Sequence, residues 1–128
     1  MKMKTKAALF FALSIVNVAP IQADDSFLIN EVNTEHVNLG IIQDGDLNNL
    51  NILLRNASYT QLNIEQYGAG NAIYGLRDDE FVVDGQNNVV NIFQHGSNNV
   101  VQGNIIGGHN SVYVSQYGYG NKAVINQY

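Results

Sequence analysis

Apolar and polar residues alternate along most of the chain beyond residue 34. Val90, Ile92 and Gln94 fall at every second position, as do Val112, Val114 and Gln116, and then Ala123, Ile125 and Gln127. Leu50, Ile52 and Leu54 repeat the pattern, followed by Leu62, Ile64 and Gln66. A two-residue period places these side chains on one face of a strand. An amphipathic helix would need apolar residues at i, i+3, i+4 and i+7, which these segments lack. The alternation therefore predicts a series of short β-strands.

Between the alternating segments a short phrase recurs, Gly-x-x-Asn. It stands at Gly45–Asn48, Gly68–Asn71, Gly85–Asn88, Gly96–Asn99, Gly107–Asn110 and Gly118–Asn121. The last four glycines are 11 residues apart, and the first two are 23 apart. Degenerate copies are read at Ala57–Thr60 and Thr34–Val37. Gly reaches positive φ without steric cost, and Asn tolerates the left-handed region while bonding nearby backbone, so the phrase reads as a turn. A fixed period of this kind is the signature of a solenoid.

Two 11-residue halves make one strand–arch–strand unit of about 22 residues. Four units follow: residues 34–56, 57–84, 85–106 and 107–128, the second longer by an insertion near Gly75–Asp84. The expected fold is all-β, a β-solenoid of about four rungs forming two stacked parallel sheets. Gln43, Gln66, Gln94 and Gln116 hold one place in successive units. Buried amides need partners. With rungs about 4.8 Å apart, each amide can donate to an identical amide on the next rung, a cross-β ladder. Gln127 and the turn asparagines Asn48, Asn71, Asn88, Asn99, Asn110 and Asn121 are assigned to such ladders as well. Gly45, Gly68, Gly85, Gly96, Gly107 and Gly118 are assigned to the arches.

The N-terminal segment differs in kind. Lys2, Lys4 and Lys6 precede a nearly unbroken apolar run from Ala7 to Val18, and Ala23 precedes Asp24 and Asp25. This is the order of a secretory signal peptide at 1–23, too short in its apolar part to span a bilayer. Residues 24–33 read as a leader, a partial cap or a weak half-rung built on Leu28 and Val32. Removal of 1–23 leaves Arg55, Arg77 and Lys122 against eleven acids, a net charge of −8. An acidic chain of this sort argues against nucleic acid or anionic lipid as partner. There is no Cys, and the single Pro is Pro20. A small secreted domain without disulfides needs another source of cohesion.

The repeats resemble those of the curlins, the subunits of bacterial curli fibres, whose units run roughly Ser-x5-Gln-x-Gly-x-x-Asn-x-Ala-x3-Gln. The last unit matches from Asn110 through Gln116, Gly118, Asn121 and Ala123 to Gln127, with Asn in place of the opening Ser. Thr60, Gln66, Gly68 and Asn71 carry the pattern in the second unit, and Asn88, Gln94, Gly96 and Asn99 in the third. Departures are Val37 at the opening polar place, Leu54 and Ile105 at the closing Gln place, and Arg77 at that place in the second unit. The resemblance implies an extracellular functional amyloid, secreted through the periplasm, that adheres to surfaces within a biofilm matrix. It also implies as partners other copies of the chain, a nucleating or major paralogue, and an outer-membrane export pore with accessory factors, without membrane insertion.

The repeats continue to Tyr128 without a capping segment, so the last strand edges are expected to be open to further pairing. Asp44, Asp46, Asp78, Asp79, Glu80 and Asp84 interrupt the repeats with like charge and are assigned as gatekeepers against early polymerisation. Tyr67, His95 and Tyr117 are expected to form an outward column. The three histidines lack converging partners for a metal, no cofactor motif is present, and no nucleophile–base pairing marks an enzyme. The competing expectation is a monomeric β-solenoid that binds a regular surface such as ice or polysaccharide.

Overall fold

The computed structural model describes residues 15–18, 25–76 and 79–128. The strands are β1 (Ile15–Val18), β2 (Ser26–Val32), β3 (Asn38–Asp46), β4 (Asn49–Arg55), β5 (Gln61–Ala69), β6 (Ala72–Tyr74), β7 (Phe81–Asp84), β8 (Val89–Ser97), β9 (Val100–Ile106), β10 (Ser111–Tyr119) and β11 (Lys122–Gln127). The expected signal peptide lies outside the described residues except for β1, which pairs with β3.

The strands form two parallel sheets. The first runs β1-β3-β5-β8-β10, and the second runs β2-β4-β6-β9-β11, with β7 beside β6 on the same level between β4 and β9. Apart from β6 and β7, which share one level of the second sheet, successive strands of the chain alternate between the sheets, so each neighbour within a sheet is the strand one rung away. Parallel strands need such a crossover, and here the second sheet supplies it. The architecture is the β-solenoid that the period predicts.

Burial follows the alternation. In β4 the inward residues Leu50, Ile52 and Leu54 are fully buried, and their neighbours are half-buried or exposed. Leu39, Ile41, Leu62, Ile64, Val90 and Ile92 from the first sheet join Leu50, Ile52, Ile73, Phe81, Val83, Val101 and Ile105 from the second in one core. Each buried aliphatic side chain contributes about 1.5–3 kcal/mol, which supplies the cohesion that disulfides do not. Val114, Ala123 and Ile125 are only partly buried, because among the described residues no rung covers β10 and β11.

Three local placements differ from the sequence expectation. First, β2 is a half-rung, but its inward residues are Ile29 and Glu31, while Val32 is exposed. Pairing in register with β4 sets Ile29 against Ile52 and Glu31 against Leu54, which turns Leu28 and Val32 outward. Second, Val32, Arg55, Asp84 and Ile106 share one level. Asn33 and Asn56 therefore stand where Gly85 and Gly107 stand, with φ of 51° and 49°. Thr34 and Ala57 are extra arch residues whose buried side chains fill the corner, which accounts for the 23-residue first unit. Third, the insertion occupies residues 75–80. It divides one rung strand into β6 and β7, with Tyr74 level with Gln102 and Val82 level with Asn104. The closing place of the second unit therefore belongs to Val83 and not to Arg77, which lies outside the described residues.

Candidate functional site: amide ladders and strand edges

Gln43, Gln66, Gln94 and Gln116 stand at equal levels of β3, β5, β8 and β10. Their inward position follows from the same alternation that buries the aliphatic residues two and four places before them. Gln43 Nε2 donates to Gln66 Oε1 at 2.8 Å, Gln66 to Gln94 at 2.9 Å, and Gln94 to Gln116 at 2.9 Å. The second N–H of each crosses to the other sheet: Gln43 to Ser26 O, Gln66 to Asn49 O, Gln94 to Ala72 O and Gln116 to Val100 O. One amide thus ties neighbouring rungs and both sheets.

The column has direction. Every link donates from the N-terminal rung to the C-terminal one. At its head Gln43 Oε1 is buried without a hydrogen-bond partner among the described residues. At its tail Gln116 spends one N–H on Val100 O, and the other has no acceptor among the described residues. An unmet buried acceptor costs about 1–3 kcal/mol.

The arch asparagines form two further columns. In the larger one, Asn71 donates from its backbone N and its Nδ2 to Asn48 Oδ1, Asn99 to Asn71 Oδ1, and Asn121 to Asn99 Oδ1. Asn71, Asn99 and Asn121 also donate to the carbonyls of Tyr67, His95 and Tyr117, four residues before them. Asn48, Asn71 and Asn99 reach the carbonyls of Gly68, Gly96 and Gly118 on the next rung. The Asn side chain thus closes its own arch and hooks the next one, which gives the Gly-x-x-Asn phrase its physical content. In the smaller column Asn110 N donates to Asn88 Oδ1, Asn88 Nδ2 to Gly107 O, and Asn110 Nδ2 to Ile106 O. Among the described residues Gln127 has no such partner. It closes a column of Glu31, Leu54, Val83 and Ile105, so the residue beneath it is aliphatic and carries no amide to pair with.

The arch glycines explain themselves by approach. A Cβ on Gly45, Gly68 or Gly96 would lie 1.9, 2.1 or 2.0 Å from the carbonyl oxygen of the next glycine in the column. Gly85 stands in the same relation to Gly107 at 2.2 Å. Gly107 and Gly118, which end their columns, have no such neighbour.

The acidic residues are dispersed. Asp44 heads the outward column that continues with Tyr67, His95 and Tyr117. The rings of that column meet edge to face at 4.7 and 5.4 Å. Asp46 is the last residue of β3, where its carbonyl accepts from Gly70 N. Asp79 is exposed in the insertion, Glu80 accepts from Asn30 Nδ2, and Asp78 lies outside the described residues. Asp84 does not belong with them. It sits in β7, paired with Arg55 at 2.8 Å and accepting from Asn56 Nδ2, so strand register separates it from the insertion. His36 stacks on Tyr59 at 4.8 Å and His109 lies in an arch with φ of 62°. Among the described residues no group of three or more His, Cys, Asp or Glu is placed to hold a metal ion.

The glutamine ladder, the larger asparagine column, the Gly45–Gly118 column and both sheets run between the same two faces, one formed by the N-terminal strands and one by β10 and β11, while the Asn88–Asn110 and Gly85–Gly107 columns join only the last two rungs. Comparisons with protein-family models, curated proteins and solved structures return no match.

Proposed function

We propose that the chain is the structural subunit of an extracellular, curli-like amyloid fibre in which copies stack end to end along the solenoid axis. The observation that carries this reading is the polarity of the glutamine column, with a leftover donor at Gln116 and an unmet acceptor at Gln43. A donor at one end and an acceptor at the other suit copies that join head to tail. The outer edges of β10 and β11 add rows of backbone groups, each hydrogen bond contributing about 0.5–1.5 kcal/mol net. The curlin-like repeats extend the reading to secretion, a biofilm matrix, a dedicated export pore and a nucleating or major paralogue. The dispersed Asp44, Asp46, Asp79 and Glu80 act in this reading as brakes before export. Outward columns such as Gly40, Asn63, Asn91 and Tyr113 are irregular, which weighs against a monomer that matches a regular surface.

The test follows the secreted chain after dilution from denaturant, by dye binding, sedimentation and fibre diffraction. The expected result is a sedimenting fibre with a reflection near 4.7–4.8 Å. A soluble monomer without that reflection overturns the proposal.

A further inference from the structure

The two ends of the solenoid do not match once β1 is removed. At the C-terminal end β10 and β11 finish flush, each the outermost strand of its sheet. At the N-terminal end β1 and β2 are outermost. Cleavage after Ala23 would take β1 away and leave β2 standing one strand proud of β3. A flush end and a stepped end cannot pair along both sheets. With β2 in place, β11 of one copy could meet β2 of the next, but β10 and β3 would stand one strand spacing too far apart for a hydrogen bond.

β2 copies the half-rung that would otherwise lie on β4. Asp25 Oδ1 accepts from Asn48 N at 2.8 Å, as Asn99 Oδ1 accepts from Asn121 N at 3.1 Å. Ser26 N donates to Asn48 O just as Val100 N donates to Asn121 O. Ile29 lies on Ile52, in the place that Ile125 holds on the level of Gly103. The copy is incomplete, because a carboxylate has no N–H to give to the next arch carbonyl as Asn48, Asn71 and Asn99 do.

Resting on the fibre reading above, we infer that β2 is a placeholder, displaced when a second copy of the chain docks its C-terminal end. In the joint β11 of one copy pairs with β4 of the next, and β10 pairs with β3. Gln116 Nε2 then donates to Gln43 Oε1, and Asn121 Oδ1 replaces Asp25 Oδ1 on Asn48. Ile125 replaces Ile29 on Ile52. The exchange gives up one pairing of seven residues and makes one of six and one of nine. The monomer thereby protects one edge until the correct end arrives, and the displaced segment leaves the fibre axis.

The experiment uses the secreted protein, its N-terminus read by mass spectrometry. Ser26 and Asn49 are exposed partners across β2 and β4, and the described chain has no cysteine. Ser26→Cys with Asn49→Cys therefore offers one disulfide that locks β2 in place. The expected result is that the oxidised variant fails to elongate wild-type seeds while the same protein, reduced, elongates them. In wild-type fibres the amides of Leu28–Val32 should exchange hydrogen rapidly while those of β3 and β4 stay protected. Oxidised protein that elongates as well as reduced protein, or β2 amides as protected as those of β4, overturns the exchange and leaves the fibre reading standing. Secreted chain that still carries Ile15–Val18 also overturns the exchange, since β1 would level the end. Wild-type protein that forms no fibre overturns the fibre reading and the exchange together. If neither redox form of the variant elongates, the exchange profile of the wild-type fibre decides.

Discussion

Gln94 donates from Nε2 to Gln116 Oε1 across 2.9 Å, and it accepts from Gln66 through its own oxygen. Both contacts are buried, so the column works as a unit whose middle members are the costly ones to lose. Gln94→Leu removes an acceptor from Gln66 and a donor from Gln116, leaving polar atoms buried without partners at about 1–3 kcal/mol each. The expected outcome is a destabilisation of about 2–4 kcal/mol, read as a drop in the urea midpoint at unchanged slope. Replacing all four ladder glutamines by Leu should cost less per site, because no orphan amide remains inside the column.

Gly96 and Gly118 occupy equivalent places, with φ of 112° and 107°. A Cβ on Gly96 would meet Gly118 O at 2.0 Å, whereas the nearest atom to one on Gly118 is 3.7 Å away. Gly96→Ala should disrupt the arch and abolish cooperative unfolding. Gly118→Ala should keep a folded chain at a backbone cost of about 1–3 kcal/mol. If copies stack in register, that same Cβ faces Gly45 O of the next copy. Elongation of seeds should then fail while the far-ultraviolet spectrum of the monomer is retained. Normal elongation by this variant would exclude in-register stacking at that face.

The insertion 75–80 interrupts a rung without shifting it. Tyr74 is level with Gln102, and Val82 is level with Asn104, so Phe81 falls level with Gly103. Deleting residues 75–80 would join Tyr74 directly to Phe81 and keep both halves in step. The expected result is a folded chain with stability within about 1 kcal/mol of the parent, since loop length enters only logarithmically. If the acidic insertion brakes assembly, the lag before fibre formation should also shorten.

Phe81 is the largest fully buried side chain among the described residues. Phe81→Ala should cost about 3–5 kcal/mol, measured by denaturant unfolding. A loss below about 1 kcal/mol would mean that the core does not close around β7 as described, since a well-packed site cannot absorb so large a cavity.

The arch at Asn56–Thr60 shows where sequence reasoning meets its limit. Gly-x-x-Asn counting aligns Ala57 with the glycines, because it registers spacing and not which side chain points inward. Pairing with the neighbouring rungs instead puts Asn56 in the glycine place and turns Ala57 into the core. The same holds for Leu28 and Val32 in β2, whose facing is set by the buried partners on β4 and not by their own hydropathy.

The strand period, the arch phrase and the glutamine column could all be derived from the sequence alone. In a parallel, in-register stack, equal positions in the repeat become spatial neighbours, so repetition along the chain translates directly into contact. The sequence could not determine what depends on direction or on a broken repeat. The sense of amide donation from Gln43 towards Gln116 is decided by which carbonyls of the opposite sheet take the second N–H. The placement of Val83 at the closing position, the separation of Asp84 from the insertion and its pairing with Arg55 are decided by register on β4 and β9. An insertion moves residues along the sequence without moving them in the sheet, and only neighbouring strands fix where pairing resumes.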